Sequence, residues 1–578
     1  MKKVTELCLG VAVAGVVAGA GSTVACAVAY AEPSAPDSGN SSAATAASGT
    51  AGPAASTRSR ASTTRTGALT APKATGGSTP AASVRTTVVA RPSTAPRRSA
   101  VAVPATPAPA PVSVPALPVP ATPAGPASSV TASVSTVTGR SRSRTASAVA
   151  AAVQVADPPP THVLLIGTDG TNLDKVLQYA YDEPDSGFRA VMAQGVTGAT
   201  SIVGHTTISG PSWSTILTGA WDNKTGVINN IFNPKPYDSW PTVFNLIEYY
   251  RPEVDTAVYA DWQYINDMAA AGGYEADVNQ FVPFDTTWEN TDDNVVDATI
   301  ARIVATTATD SSLIFSYQVA VDEAGHAAGG GSPEYADAVV NTSENIKRIM
   351  VAVDAWETDP DNLGEEWTVI VTTDHGHQQS VGFGHGFQSP NETSSFVIFD
   401  LEGDSANDGK QNLGYSNADI TPTIVSLFDV PLRSDFDGVP MQSDPAVLDS
   451  LVTPKNLKQA LNDAVAMYGY PNIGIDVALG VRTVFASVPY FLDIITNTIT
   501  AQLQALVDQE IFLISAFAQG AQFVVQLSGD VLVAVTQAVA RVVATLTGSG
   551  VIAPTDPPLP APPADSVRLP MLPAAALV

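Results

Sequence analysis

The sequence predicts an α/β domain over residues 158–445, with a largely parallel central sheet that helices flank on both faces. Three apolar segments carry this prediction, because each has the pattern of a buried strand that ends at an acidic turn. They are HVLLIGTDG at 162–170, SLIFSYQVAVDEAGH at 312–326 and WTVIVTTDHGH at 367–377. A helical pattern separates the second from the third, and strands that alternate with helices form parallel sheets covered on both faces.

The helix between the second and third strands has clear start signals. Ser332 is a typical N-cap residue, and Pro333 suits the first turn. The apolar residues that follow recur at the spacing of one helical face. They are Tyr335, Val339, Ile346, Met350 and Val353. Packing of this face on the sheet would leave the carboxyl ends of the strands free to gather ligand-binding residues.

The first 157 residues have the composition of export and spacer segments. Residues 1–31 begin Met1-Lys2-Lys3, continue as an apolar run and end in Ala-Tyr-Ala, which predicts a secretory signal peptide cleaved after Ala31. Both cysteines, Cys8 and Cys26, lie in it, so the mature chain would have no disulfide, and lipidation of Cys26 is the alternative. Residues 32–157 are rich in Ala, Pro, Ser and Thr, which predicts a disordered arm. We therefore expect a secreted or cell-envelope protein.

Charge is distributed unevenly along the chain. Residues 32–157 contain 11 Lys or Arg against 3 Asp or Glu, whereas residues 158–578 contain 15 against 51. Nucleic-acid backbones are bound by clustered basic side chains, so the acidic excess argues against a nucleic-acid partner for the folded part. The basic arm is expected to be a solvated spacer or, alternatively, a contact with an anionic cell surface.

The end of the chain differs from the α/β segment. Residues 454–550 are apolar, poor in charge and helical in period, which predicts a small helical region. It would pack on itself, on the preceding domain, or at a lipid interface of the envelope or membrane. Residues 551–578 are predicted to be a Pro-rich tail.

Aspartates and histidines concentrate at the ends of the predicted strands. The chain has only six histidines, and three of them lie beside aspartates at ligand-like spacings. Carboxylate and imidazole groups suit Zn²⁺ and related divalent ions, and six such groups are enough for two adjacent sites. Two metals about 3.5 to 4 Å apart would clamp the attacking and leaving oxygens of a displacement at phosphorus. The six residues are Asp169, Asp322, His326, Asp374, His375 and His385.

The segment SGPSWSTILTGAWDNKTGVINN at 209–230 resembles the nucleophile segment of the type I phosphodiesterase/nucleotide pyrophosphatase family, in the alkaline phosphatase superfamily. That family has a Thr or Ser two residues before a Pro, then an apolar stretch that ends in Thr-Gly. Ser209, Pro211 and Thr218-Gly219 match this pattern. The segment ADITPTIVSLFDVPLRSDFDGVPM at 418–441 resembles the last helix and turn of the family, so the resemblance spans residues 161–443.

The resemblance implies an alkaline phosphatase-like fold and a phosphodiesterase that acts through a phosphoseryl intermediate. Ser209 would attack phosphorus, and Asn230 would donate a hydrogen bond to a phosphate oxygen, with Asn229 as the alternative donor. The expected substrate is a small nucleotide-like phosphoester or another diester. Two divalent metal ions, with Zn²⁺ expected, are implied. One would be held by Asp322, His326 and His385, and the other by Asp169, Ser209, Asp374 and His375.

Several other functions stay open. Phosphomonoesterases, phosphonate hydrolases and sulfatases belong to the same superfamily. A sulfatase requires Arg in C/S-x-P-x-R, where this chain has Trp213, while Lys224 keeps a monoesterase open as a cation for a phosphate dianion. An inactive envelope-binding surface protein is the alternative from another class.

Five further residues near these motifs are expected to have lesser roles. His377 should lie beside the ligands or face solvent rather than bind metal. His205 is either a residue of the cleft or an ordinary loop residue, and His162 should be a core or edge residue. Trp213 and Trp221 are expected to pack beneath the nucleophile segment rather than stack on a leaving group.

Overall fold

The computed structural model describes residues 160–443 apart from 363 and 383, the short strand at 447–448, and residues 473–562 apart from 512. The predicted signal peptide at 1–31 and the predicted arm at 32–157 lie outside the described residues. So do residues 454–472 of the predicted helical region and residues 563–578 of the predicted tail.

A mixed sheet of nine strands forms the centre of the domain. The strands are β1 His162–Thr168, β2 Val196–Ser201, β3 Asp255–Ala260, β4 Val278–Phe281, β5 Ser312–Gln318, β6 Trp367–Thr372, β7 Ser394–Asp400, β8 Gln411–Asn412 and β9 Val447–Leu448. Their order in the sheet is β4-β3-β5-β1-β6-β7-β2-β8-β9. The five adjacent strands β4, β3, β5, β1 and β6 are parallel to one another. In contrast, β7 is antiparallel to both of its neighbours, β6 and β2. The predicted largely parallel sheet is confirmed.

The register of the central strands brings the predicted ligands to one edge. β1 pairs with β5 from His162 opposite Ser312 to Thr168 opposite Gln318. It pairs on its other side with β6 from His162 opposite Trp367. Because all three strands are parallel and in step, the residues that directly follow them lie side by side.

Helices cover both faces of the sheet. They are α1 Leu173–Asp182, α2 Gly187–Gln194, α3 Ser209–Thr218, α4 Asp222–Thr225, α5 Lys235–Ser239, α6 Val243–Tyr250, α7 Gln263–Ala269, α8 Trp288–Ala305, α9 Ala320–Ala328, α10 Pro333–Glu357, α11 Pro390–Thr393, α12 Ile420–Leu427, α13 Ile473–Val507 and α14 Ile514–Leu546. Alternate residues of β1 belong to two separate hydrophobic clusters: Val163 and Leu165 pack on one side, Leu164 and Ile166 on the other. Successive strand residues point to opposite faces, so two apolar layers enclose the sheet.

The helix predicted after Ser332 is α10. The Ser332 side chain accepts a hydrogen bond from the Tyr335 amide, 3.1 Å away, and Pro333 begins the helix. The predicted face is buried along its length, from Tyr335 to Val353. The cap, the proline and the apolar spacing therefore specify this helix locally.

The predicted C-terminal helical region is confirmed as the pair α13 and α14, which pack along each other. The pair also contacts the α/β domain, where Ile228 forms a small apolar cluster with Ala540 and Ala544. Residues beyond α14 lie on the same domain, because Asp556 accepts a hydrogen bond from the Ser434 amide, 2.6 Å away. Both helices are long and apolar enough to cross a membrane by length and composition alone, a test that core helices of soluble proteins also pass.

Candidate metal centre

The six predicted Asp and His ligands lie in the segments that follow the central strands β1, β5 and β6. Asp169 follows β1, and Asp374 and His375 follow β6. Asp322 and His326 lie one turn apart on α9, which begins just after β5, whereas His385 lies in the loop between β6 and α11. The structure therefore brings together at one sheet edge residues that span more than 200 positions in the chain.

Asp169, Asp374 and His375 form one fully buried cluster, whose potential ligand atoms all lie within 4.8 Å of one another. The Nε2 atom of His375 is 3.3 Å from Oδ2 of Asp374 and 3.8 Å from Oδ1 of Asp169. Neither of these carboxylate oxygens has a hydrogen-bond partner. Ser209, the first residue of α3, places its Oγ 3.2 Å from the same Nε2 atom. All four residues of the predicted Ser209 site are thus in one place.

The electrostatics of this cluster fit a divalent cation. Burial raises the pKa of Asp169 to about 7, and the nearby charge of Asp322 adds to the effect. Burial likewise raises the pKa of Asp374 well above its usual range. Two carboxylates with partnerless oxygens aimed into the same dry space are costly without a counter-charge. A metal ion supplies such a charge, and the burial-lowered pKa of His375, about 4, keeps its imidazole neutral for coordination.

Asp322, His326, His377 and His385 form the second cluster, also within 4.8 Å. Nε2 of His326 is 3.2 Å from Oδ2 of Asp322 and 3.2 Å from Nε2 of His385. Although burial acts to raise the pKa of Asp322, His326 and His377 hold that pKa well below its usual range. Burial lowers the pKa of His385 well below its usual value. An ionised carboxylate beside converging imidazole nitrogens is a donor set that suits Zn²⁺.

The two clusters are adjacent because Gly170 lies between them. Gly170 follows Asp169 and adopts φ +59°, and a Cβ atom there would lie 2.3 Å from Oδ1 of Asp322. Only glycine allows both the left-handed backbone and this close approach. The side chains of Asp169 and Asp322 therefore face one shared space.

His377 lies inside the second cluster. Its side chain is fully buried, its Nε2 is 2.6 Å from Oδ1 of Asp322, and its Nδ1 has no hydrogen-bond partner. The solvent-facing position expected for it is wrong, because the side chain is buried. Its ring offers a potential ligand atom within the second cluster, so the expectation that it does not bind metal stays a prediction. Its place in DHGH, one residue beyond His375 and Gly376, is the signal that pointed to this neighbourhood.

Trp213 has a contact that sequence reasoning did not anticipate. Its ring is fully buried beneath the nucleophile segment, as predicted, and its Nε1 donates to Oδ2 of Asp169 at 2.8 Å. The hydroxyl of Tyr317 donates to the same oxygen. Since Oδ2 is held by two donors, Oδ1 is the oxygen that faces the cluster. Trp213 lies four residues after Ser209, on the same face of α3, which is the only sequence signal for this role.

The structure distinguishes the two neighbouring asparagines. The Gly210 amide donates to Oδ1 of Asn230 at 2.8 Å, so the Nδ2 of Asn230 is the atom left to donate into the cavity. The Nδ2 of Asn229 instead donates to the Ala486 carbonyl and to Gln537, each 2.9 Å away. This arrangement favours Asn230 over Asn229 as the donor to a bound phosphoryl group.

The remaining histidines and Lys224 have partners elsewhere. His205 stacks on Trp221, with the ring centroids 3.8 Å apart, and its Nδ1 is 3.1 Å from Oδ1 of Asp222. The rings of His205 and Trp221 therefore contact each other rather than the metal centre. His162 is a buried core residue whose Nδ1 is 3.0 Å from Ser312, as predicted. Lys224 forms an ion pair with Asp437 at 2.7 Å.

A cavity of about 250 Å³ opens beside the second cluster. Its polar lining includes Asn230, His326 and His385. Its aromatic lining consists of Trp288, Tyr490 and Phe491. The cavity therefore offers polar groups that could contact a phosphoryl group and aromatic groups that could contact the group attached to it.

Part of the chain is similar to known proteins. Residues 163–388 match the family described as type I phosphodiesterase / nucleotide pyrophosphatase. No curated protein matches the sequence. Among solved structures, a 2-O GAG sulfatase is similar at 14% identity and TM-score 0.38, over 49% of this chain and 74% of its own. The phosphonate monoester hydrolase of Agrobacterium radiobacter is similar at 14% identity and TM-score 0.36, over 49% and 76% of the two chains. Over residues 163–388, the α/β domain of this chain is thus similar to the type I phosphodiesterase / nucleotide pyrophosphatase family.

Proposed function

We propose that this superfamily hydrolase is a metal-dependent phosphodiesterase of pyrophosphatase type, with Ser209 as its nucleophile. One observation carries the proposal. The Ser209 hydroxyl lies at the start of α3, 3.2 Å from His375, beside two buried carboxylates with partnerless oxygens. A helix start favours the negative charge of a phosphoryl group, because its free amides and its dipole point toward the ligand.

The residues have separate roles in this proposal. Ser209 Oγ forms the new bond to phosphorus as the ester oxygen of the leaving group departs, and water then hydrolyses the phosphoseryl intermediate. Asn230 Nδ2 donates to a phosphoryl oxygen on which charge develops. Two divalent ions, proposed to be Zn²⁺, would be held by Asp322, His326 and His385 and by Asp169, Ser209, Asp374 and His375. When bound, they would polarise the phosphoryl oxygens and lower the pKa of the serine hydroxyl.

The charge of the cavity favours a diester. No Lys or Arg is among the described residues that line it, and Lys224 is paired with Asp437 instead. A phosphomonoester dianion usually requires a cationic side chain, whereas the neutral amide of Asn230 suits a singly charged ester. A phosphonate monoester has that same single charge, so phosphonate hydrolysis is the second candidate. Sulfatase activity is disfavoured because Trp213, bound to Asp169, stands where the sulfatase motif has Arg.

Location is a second part of the proposal. We infer an exported protein of the cell envelope or extracellular space, acting on a small nucleotide-like or other diester rather than on nucleic acid. Contact with a membrane surface through α13 and α14 is supported by large apolar side chains on α14 that solvent reaches. Phe517 is 80% exposed and Phe523 is 67% exposed. Surfaces of this kind mark interaction sites.

The activity test is a substrate screen with the purified protein. Bis-aryl phosphate, aryl monophosphate, aryl phosphonate and aryl sulfate are compared with and without a chelator. We expect the diester to be hydrolysed fastest and the chelator to abolish turnover. A preference for the sulfate or the monoester, or turnover that a chelator does not affect, would contradict the proposal.

Two variants separate chemistry from metal binding. Ser209→Ala should abolish turnover while the protein retains its metal through the remaining ligands, whereas Asp374→Ala should lose both metal and turnover. Metal content is measured by elemental analysis and folding by circular dichroism. An inactive surface protein, the alternative from another class, would show no turnover in the wild type and no difference in metal content between the variants.

A further inference from the structure

One wall of the cavity comes from outside the region that matches the family. Thr483, Ser487, Tyr490 and Phe491 line it from α13, whereas the family match ends at residue 388. These four residues recur at helical spacing, so one face of α13 is turned toward the metal centre. Helix α13 is thus part of the cavity lining rather than an appendage.

Buried polar contacts hold α13 against this centre. Arg482 is 4% exposed, forms an ion pair with Asp222, and donates its Nε–H to Thr547 Oγ1 at 3.0 Å. Taking both charges out of water is tolerated only where partners are in place, so this contact fixes a definite geometry. The wall is therefore anchored one residue before Thr483, its first member.

The next contacts connect α13 to the chain neighbours of two proposed site residues. Thr483 Oγ1 donates to the carbonyl of Gly386 at 2.6 Å, directly after the ligand His385. One turn along, the Ala486 carbonyl accepts from Asn229, the neighbour of Asn230, at 2.9 Å. Ser487, Tyr490 and Phe491 follow on the next turn and face the cavity from this fixed position.

The lining from α13 differs in chemistry from the lining at the metal centre. Asn230, His326 and His385 are polar, whereas Tyr490 and Phe491, together with Trp288 from α8, are aromatic. Aromatic side chains recognise apolar groups by burying their surface. The ester group that contacts these side chains is expected to be apolar rather than charged.

We propose that α13 completes the substrate site, and that Tyr490 and Phe491 select phosphoesters that carry a bulky apolar group. The proposal rests on the phosphodiesterase function proposed above and deepens it by naming the class of substrate. The apolar group of the substrate would be either an aromatic ring or an alkyl chain such as that of a lipid. The exposed apolar face of α13, where Val484 is 52% and Ile495 is 47% exposed, lies on the same helix.

The test measures binding of diesters that differ in only one group. Dimethyl phosphate, methyl phenyl phosphate and methyl dodecyl phosphate, below its micellar concentration, compete with hydrolysis of bis(p-nitrophenyl) phosphate by the full metal-loaded chain. All three are single anions with poor leaving groups, so their inhibition constants report binding in either orientation. We expect the phenyl or dodecyl diester to bind roughly 10-fold to 100-fold more tightly than the dimethyl diester. The better of the two identifies the source of the apolar group.

Variants test whether the α13 residues that line the cavity cause the preference for bulky apolar diesters. Phe491→Ala and Tyr490→Ala should each lose most of this preference, so that the inhibition constants of the phenyl and dodecyl diesters approach that of dimethyl phosphate. Ser487→Leu, which fills the cavity from the same wall, should weaken only the bulky diesters. Phe485→Ala is the matched control, because Phe485 lies on α13, is 40% exposed and does not line the cavity. It should leave all three inhibition constants unchanged.

The outcomes separate this inference from the proposed function. Equal affinity of the three diesters for the wild type, or the same loss on all three in Phe491→Ala, would overturn the role of α13. If the wild type does not hydrolyse the reporter, the phosphodiesterase proposal fails. Calorimetric binding of the same three diesters then still decides whether the wall selects apolar groups.

Discussion

The contact between Trp213 and Asp169 leads to a quantitative prediction about metal binding. Trp213→Phe keeps a buried aromatic ring but removes the donor that lies 2.8 Å from Oδ2 of Asp169. Tyr317 then remains as the only donor to that oxygen among the described residues. Loss of a hydrogen bond to a charged group costs about 1.5 to 3 kcal/mol, which is roughly 10-fold to 150-fold in an equilibrium constant. We expect metal affinity to fall by about 10-fold to 100-fold, the usual effect of removing a partner that orients a ligand.

The same contact predicts how the loss depends on pH. The hydrogen bond from Trp213 lowers the pKa of Asp169, which burial has raised to about 7, so its removal raises that pKa further. Metal binding requires the carboxylate form. Asp169 of the variant is then protonated at a higher pH than in the wild type, so the defect of Trp213→Phe should grow as the pH falls toward about 7 and level off below it, where both proteins are protonated.

The assay is competition with a chelator of known affinity at several pH values, with metal content as the readout. Trp367→Phe is the matched control, because Trp367 is also buried on the sheet and its Nε1 has no hydrogen-bond partner. Trp367→Phe also replaces an indole ring by a phenyl ring, but it removes no hydrogen bond. If both variants bind metal as the wild type does, or if both lose affinity equally, the hydrogen bond to Asp169 does not orient a metal ligand and the reasoning is wrong.

Three further predictions test other parts of the structure. Asn230→Ala should lower kcat/KM for a diester by about 10² to 10³ without changing metal content, and an unchanged rate would exclude Asn230 as the phosphate donor. Arg482→Met leaves the carboxylate of Asp222 buried without its charged partner, so the free energy of unfolding should fall by about 3 to 5 kcal/mol. Chemical denaturation measures this, and simultaneous Asp222→Asn should restore part of it unless the pair is not coupled. Burial raises the pKa of Asp261 well above its usual range and that of Asp292 to about 7, so the folded state retains protons that the unfolded chain releases. The resulting stability is present at acidic pH and lost as pH rises from about 4 through about 7, so Asp261→Asn should flatten the pH dependence of Tm, and an unchanged slope would contradict this.

Local patterns were sufficient where the structure repeats a regular period. The three apolar segments with acidic ends are β1, β5 and β6 with their following turns, and Ser332 begins α10 as its cap chemistry predicts. Because parallel strands in step end at one edge, assigning the strands was enough to bring Asp169, Asp322 and Asp374 together. The order of residues along the chain therefore predicted which potential metal ligands lie together.

Local patterns could not decide between residues that are equivalent in sequence. Asn229 and Asn230 are neighbours of the same type, and only the contact of Asn229 with α13 and that of Asn230 with Gly210 separate their roles. Lys224 lies close to the nucleophile in sequence, yet its ammonium pairs with Asp437, more than 200 residues away. Side-chain direction of this kind depends on long-range partners that no local period encodes.

The sequence by itself thus determined the three central strands, the helix α10 and the set of carboxylate and imidazole groups that could hold metal, since these follow from periodicity and residue chemistry. Only the tertiary structure decided which side chains donate hydrogen bonds to these potential ligands and which helix lines the cavity beside them. Trp213 reaches Asp169 across the end of β1, and α13 reaches the metal centre from more than 250 residues beyond Ser209. The physical reason is that the helical period specifies which residues form an apolar face but not which surface that face covers. Complementary packing and buried ion pairs, such as that of Arg482 with Asp222, determine the covered surface.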